Sequence, residues 1–272
     1  MNGRKTIVGV CMLCALLISA FAAQSASAIT GTTVFTCKEG AGDGGATFAG
    51  SHCKTGESSG KYGHYKVAEN TSTELRGHAV GSMIIKSTIG GSPVTFTSTS
   101  VEGSGSVQNL VDESGEHYVQ AETQGIYSGV TINVPKCFVY TDDGTGTPGT
   151  QGVIDTEVLT TTSKGQGDAV KFTPKEGEAI SKLWILDKNK KGAGGECSCP
   201  GTFTLTGSVL GKPDGATFIF KHAEMTEQNT FKLGSGGGGS KAGFEGSIAL
   251  EAKDPVIEKD TFKPLSVTTV TT

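Results

Sequence analysis

The segment Gly56-Glu57-Ser58-Ser59-Gly60 matches the G-x-S-x-G pattern that surrounds the nucleophile of many serine hydrolases. In those enzymes the serine lies on a strained turn between a buried strand and a helix, whose N-terminus helps to stabilise the oxyanion. Here Cys53-Lys54-Thr55 precedes the motif and Lys61-Tyr62-Gly63-His64 follows it, and neither flank has that pattern. We therefore interpret the segment as a Gly- and Ser-rich loop, and a serine hydrolase that uses Ser58 is a remote alternative.

Other residues that could bind a metal lack the required spacing. The histidines show no H-x-x-x-H or H-E-x-x-H pattern, which would bring two imidazoles to one ion; they are His52, His64, His78, His117 and His222. The segment Asp142-Asp143-Gly144-Thr145-Gly146 lacks the ordered oxygen ligands and the closing Glu of a calcium loop. The sequence therefore predicts no catalytic residue, no metal site and no cofactor.

The N-terminal residues predict export. Arg4 and Lys5 precede an apolar run of 15 residues, Ile7–Phe21, and small residues end at Ala28. This is the layout of a secretory signal peptide, and the run is shorter than the roughly 20 residues of a membrane-spanning helix. We expect residues 1–28 to be a signal peptide, no transmembrane segment after its removal, and a secreted, extracellular or cell-envelope location.

Five cysteines follow that segment, and in an exported protein they are candidates for disulfides. They are Cys37, Cys53, Cys137, Cys197 and Cys199. We expect Cys37 to pair with Cys53 across a Gly-rich excursion, and Cys137 to pair with either Cys197 or Cys199. A bond between Cys197 and Cys199 is not expected, because so small a ring strains the usual geometry. The odd number leaves at least one cysteine without a partner in this chain.

The charge of the chain excludes one class of partner. Without Arg4 and Lys5 the chain has 21 basic and 27 acidic residues, a net charge of −6. Nucleic-acid binding calls for clustered Lys and Arg and a positive field. We therefore expect no nucleic acid as partner, and the extracellular or cell-envelope partner stays unknown.

The elements that would position these residues are short β-strands. Many segments rich in Val, Ile, Thr and aromatic residues are bounded by Gly, Ser, Pro or Asp. The clearest, Thr202–Val209, alternates polar with apolar residues as a half-buried strand does, and Gly90-Gly91 suits a hairpin turn. The pattern predicts an all-β fold, an antiparallel β-sandwich or barrel-like body.

One elongated body and two successive sub-domains both fit this number of strands. We expect two sub-domains, because a disulfide from Cys137 to Cys197 or Cys199 would then tie them together. The predicted division is a disulfide-pinned N-terminal loop region over residues 29–63, a first β sub-domain over 64–141 and a second over 142–272.

Several strand and turn motifs resemble those of a known group of proteins. They are Lys86–Gly91, Val101–Ser106, Thr156–Gly167, Val170–Pro174 and Gly201–Val209. From about Glu74 to its C-terminus the chain resembles secreted, β-rich proteins of unknown function from soil actinobacteria (Thermoleophilia). The resemblance implies export from a bacterium, and it implies a further cysteine in the strand Val94–Val101. This chain lacks that cysteine, which would explain the odd count.

Aromatic residues offer one further binding chemistry, the stacking of rings on sugars. The candidates for glycan contact are Trp184 and the close pair Tyr62 and Tyr65. Trp184 lies between Leu183 and Ile185, an apolar context that favours a place in the core. Our leading hypothesis is a non-catalytic secreted or cell-surface β-sandwich protein with a structural or interaction role. The alternative is a carbohydrate-binding module of the cell envelope.

Overall fold

The predicted all-β class, with antiparallel sheets in a barrel-like arrangement, is confirmed. The computed structural model describes residues 30–43, 47–54, 59–166, 169–221, 230–235, 238–253 and 261–271. No residue in these ranges is helical, so none belongs to a helix that could span a lipid bilayer. The expected signal peptide, Ser58 and His222 lie outside the described residues.

The described residues form strands of two to twelve residues. In chain order they are β1 Thr30–Glu39, β2 Thr47–Phe48, β3 Tyr62–Lys66, β4 Thr73–Ala79, β5 Met83–Ile89, β6 Ser92–Ser98, β7 Ser100–Val111, β8 His117–Ser128, β9 Thr131–Ile132, β10 Phe138–Asp142, β11 Pro148–Gln151, β12 Val153–Asp155, β13 Leu159–Thr162, β14 Val170–Pro174, β15 Ala179–Leu186, β16 Gly201–Thr206, β17 Val209–Asp214, β18 Thr217–Phe220, β19 Lys232–Gly234, β20 Ser240–Lys241, β21 Gly243–Lys253 and β22 Phe262–Thr271.

Eight of these strands close into a barrel. Each pairs antiparallel with the next one in the order β4, β7, β8, β13, β14, β17, β18, β21. The ring closes because β21 also pairs with β4, with Ile248 opposite Ala79 and Leu250 opposite Gly77. The order follows the chain, so the body is an up-and-down barrel whose other strands are insertions or additions. Closure leaves these strands no free edge over the paired residues.

Additional strands cover the two ends of the barrel. At one end β1 runs past β7 and β8: Gly31 pairs with His117, and Val34 bonds to the side chain of Asn109. β1 pairs with β22, so the two strands cross this end together. At the other end lies a separate six-stranded sheet in the order β11, β10, β15, β16, β19, β20. Its core residues Leu183 and Ile185 are completely buried.

The expected boundary at residue 142 does not divide the main sheet. The barrel takes three strands, β4, β7 and β8, from range 64–141 and five from range 142–272. β8 pairs with β13 across that boundary, and β21 returns to β4. The range 29–63, expected to be a loop region, contains β1, β2 and the start of β3. These pairings join residues far apart in the sequence, which local patterns do not reveal.

The expected strand Thr202–Val209 is in fact two strands in different sheets. Phe203 and Leu205 are buried as the alternation predicts, but β16 ends at Thr206. Gly207 has a φ of +90°, and a Cβ there would lie 2.2 Å from the carbonyl oxygen of Thr230. The chain therefore turns at Gly207, and Val209 begins β17 of the barrel.

Candidate functional site

The first cysteine pair closes the N-terminal region as the spacing predicts. Cys37 and Cys53 form a disulfide that is buried with Phe48, and Tyr62 packs against it. His64 lies beside this cluster, 4.4 Å from Phe48 between ring centroids. Burial lowers the pKa of His64, so the neutral imidazole is favoured there. Because Cys53 is in a disulfide, it has no thiolate to bind a metal. The disulfide and the buried rings around it stabilise the fold.

The other three cysteines lie together near the C-terminal end of β15, in the six-stranded sheet. Cys137 and Cys197 form a disulfide, and the Sγ atom of Cys199 lies 3.8 Å from that of Cys137. Cys137 precedes β10 and Cys197 precedes β16, and both strands pair with β15. The bond therefore braces one sheet and does not join two sub-domains. Cys199 is the free thiol, and burial raises its pKa, which keeps it protonated and weakly nucleophilic.

The three aromatic residues expected to contact a glycan are not brought together. Tyr62 and Tyr65 are three positions apart on β3, so they project from opposite faces of the strand. The hydroxyl of Tyr65 donates to the carbonyl oxygen of Glu39, at 3.3 Å. Trp184 is partly buried on β15 in the other sheet, paired with Tyr140. The described residues do not arrange the three rings as a row, and the buried Nε1 atom of Trp184 has no hydrogen-bond partner among them.

The acidic turn at residues 142–146 is organised by its own hydrogen bonds. The Asp143 carboxylate accepts from the backbone N–H of Thr145 at 2.9 Å and of Thr147 at 3.2 Å, and from both threonine hydroxyls. The Thr147 and Thr145 hydroxyls, followed by the backbone donors, lower the pKa of Asp143. The role of the Asp143 carboxylate is therefore to stabilise a surface turn through these hydrogen bonds.

The feature of the structure best suited to binding is a cavity inside the barrel. Its volume is about 130 Å³. Inward-facing side chains from neighbouring strands form most of its wall; they include Leu75, Val101, Val107, Val119, Phe172 and Phe218. Residues from the covering strands, such as Leu265 of β22 and Leu205 of β16, also border it. The wall is overwhelmingly apolar, so the cavity favours an apolar guest.

A row of glycines provides space in this wall. Gly77 pairs with Gly103 in β4 and β7, and Gly103 pairs with Gly125 in β7 and β8. All three border the cavity. A Cβ at Gly103 would lie 3.4 Å from its nearest neighbour and one at Gly125 would lie 3.6 Å away, so both positions could hold a methyl group. The volume therefore depends in part on glycine at these inward positions.

The few polar groups in the wall are mostly paired. The hydroxyls of Thr123 and Thr161 face each other at 3.5 Å. The Thr156 hydroxyl accepts a hydrogen bond from the backbone N–H of Gly125, at 2.7 Å. Tyr127 is different, because no described residue gives its hydroxyl a hydrogen bond. Burial raises the pKa of this phenol, so it stays protonated at ordinary pH.

Sequence reasoning missed both the glycine row and Tyr127. The sequence pattern alone predicts a strand over His117–Ala121, which ends six residues before Tyr127, whereas β8 runs to Ser128. The sequence does contain a hint. The odd-numbered positions of β8 lie on one face of the strand, and this inward face includes Val119, Ala121, Gly125 and Tyr127. Only the closed pairing of the strands shows that this phase points into a cavity.

Comparison of the chain with protein-family models, with curated proteins and with solved structures gave no match.

Proposed function

We propose that this chain is an exported, non-catalytic binding protein whose barrel holds one small apolar molecule. The observation that carries the proposal is the apolar cavity of about 130 Å³ that the eight paired strands largely line. Barrels of eight strands either fill their interior with side chains or hold one small ligand. Here the glycine row Gly77, Gly103 and Gly125 leaves part of the interior for a guest.

The size and lining of the cavity indicate the class of ligand. An apolar cavity of about 150 Å³ in another protein binds benzene, so this cavity matches a single ring or a short branched chain. Removing such a guest from water is favourable by roughly 25 cal/mol per Å² of apolar surface. The described lining residues include no carboxylate, imidazole or thiol. This composition supports binding without a covalent step.

Two further features support an extracellular setting. Disulfides join Cys37 to Cys53 and Cys137 to Cys197, which fits an oxidising compartment. The first bond ties β1, which contains Cys37, to Cys53, and the second braces the six-stranded sheet. We propose that the disulfides keep the ends of the barrel covered outside the cell.

Calorimetric titration of the folded protein with toluene tests the proposed function. We expect one toluene to bind per chain, and the double variant Gly103→Ala/Gly125→Ala to bind about tenfold more weakly. The two added methyl groups occupy space that the ligand would fill, and each buried CH₂ contributes about 0.8 kcal/mol to the free energy of binding. The variant should unfold at the same or a higher temperature, because alanine replaces glycine within strands.

A matched control is Gly50→Ala/Gly238→Ala, since neither added methyl would meet an atom within 4 Å and neither residue borders the cavity. The control should bind toluene as the parent does. Absence of toluene binding to the parent protein, or equal weakening by both double variants, would overturn the proposal.

A further inference from the structure

Tyr127 stands where a ligand in the barrel would meet it. It lies on β8 opposite Val101 of β7 and Ile154 of β12, and its ring packs edge-on against Phe244 with 6.1 Å between centroids. Tyr127 is half-buried, and it is one of the residues that border the cavity.

Among the threonine and tyrosine hydroxyls of this wall, the hydroxyl of Tyr127 is the one that has no hydrogen bond to a described residue. The threonine hydroxyls of the described wall are engaged, as shown for Thr123, Thr156 and Thr161. A buried hydroxyl normally has a hydrogen-bond partner, and Tyr is generally paired when it is buried. A ligand with a hydrogen-bond acceptor would give the Tyr127 hydroxyl such a partner.

We infer that the ligand is a small apolar molecule with one oxygen atom, and that this oxygen accepts a hydrogen bond from the Tyr127 hydroxyl. The inference rests on the proposed binding function and adds the ligand's polar group and its orientation. A short alcohol, phenol or ketone fits the chemistry. A carboxylate does not, because no cationic side chain borders the cavity among the described residues. A site built around such a bond discriminates against analogues that lack the oxygen.

The test compares phenol with toluene, two rings of similar size that differ by hydroxyl and methyl, on the parent protein and on Tyr127→Phe. We expect the substitution to weaken phenol binding by roughly tenfold, the effect of one buried hydrogen bond. Toluene should bind both proteins equally. Tyr127→Phe should also unfold at or above the parent's temperature, because it removes no bond within the protein.

The matched control is Tyr140→Phe, the same chemical change at a buried tyrosine outside the cavity. The Tyr140 hydroxyl donates to the carbonyl oxygen of Asp187 at 2.9 Å, so this variant should lose stability but bind phenol normally. If toluene binds the parent and phenol binding is insensitive to Tyr127→Phe, or both ligands weaken equally, this inference fails alone. If toluene does not bind the parent, the proposed function itself fails.

Discussion

Asn109 shows how one buried polar side chain fixes a covering strand to the barrel. The residue is 1% exposed on β7. Its Oδ1 atom accepts from the N–H of Val34 at 2.8 Å, and its Nδ2 atom donates to the carbonyl oxygens of Val34 and Val67 at 3.1 and 2.7 Å. One amide thus satisfies three main-chain groups, which explains a polar residue at an inward position.

We predict that Asn109→Ala lowers the free energy of unfolding by about 2–4 kcal/mol, because three buried backbone groups lose their partner. The control Asn133→Ala removes one exposed bond, from the N–H of Thr95 to Oδ1, and should cost less than about 1 kcal/mol. Urea denaturation of both variants measures the difference. Equal losses would show that Asn109 does not anchor β1.

At the scale of elements, the disulfide Cys137–Cys197 braces two strands that flank β15. The free Sγ of Cys199 is 3.8 Å from Cys137, so the sheet offers a second partner at almost the same place. The Cys-Ser-Cys segment bends at residues 198 and 199, and this brings the sulfur atoms of both of its cysteines to Cys137. Cys197 is therefore the residue that bonds to Cys137, and Cys199 lies close enough to replace it.

We predict that Cys197→Ser forms a Cys137–Cys199 disulfide and keeps most of the parent's stability. The double variant Cys197→Ser/Cys199→Ser should lose about 2–4 kcal/mol, since no bond then restricts the unfolded chain there. Mass spectrometry of thiol-blocked peptides identifies the bonds, and denaturation gives the stabilities. A reduced Cys137 in the single variant would contradict the prediction.

Local elements were predictable where the residues dictate the backbone. Gly90 and Gly91 have φ values of +57° and +82° and join β5 to β6 as a two-residue turn, as expected. The sequence pattern alone predicts separate strands on either side of Gly103 and Gly105, but β7 runs through both glycines. A Cβ at Gly105 would lie 2.0 Å from the carbonyl oxygen of Glu122, so this glycine permits close approach of β8. Only the neighbouring strand distinguishes such a glycine from a turn residue.

For the whole molecule, the composition and alternation predicted the all-β class, whereas closure of the barrel was beyond local patterns. Closure depends on β21, which pairs with β18 through Thr217 and Ala249 and with β4 through His78 and the same Ala249. The second contact spans more than 150 residues of sequence. The cavity follows from that closure, so neither its volume nor the position of Tyr127 could be derived from single strands.

The central claim is that a small apolar molecule binds inside the barrel. The most direct measurement is of nuclear Overhauser effects between toluene protons and the methyl groups of isotope-labelled protein. We predict contacts to the inward methyls of Leu75, Val107 and Val119, which border the cavity. Contacts confined to the surface methyls of Val80 and Ile126, which are 54% and 50% exposed, or no contacts at all, would contradict the claim.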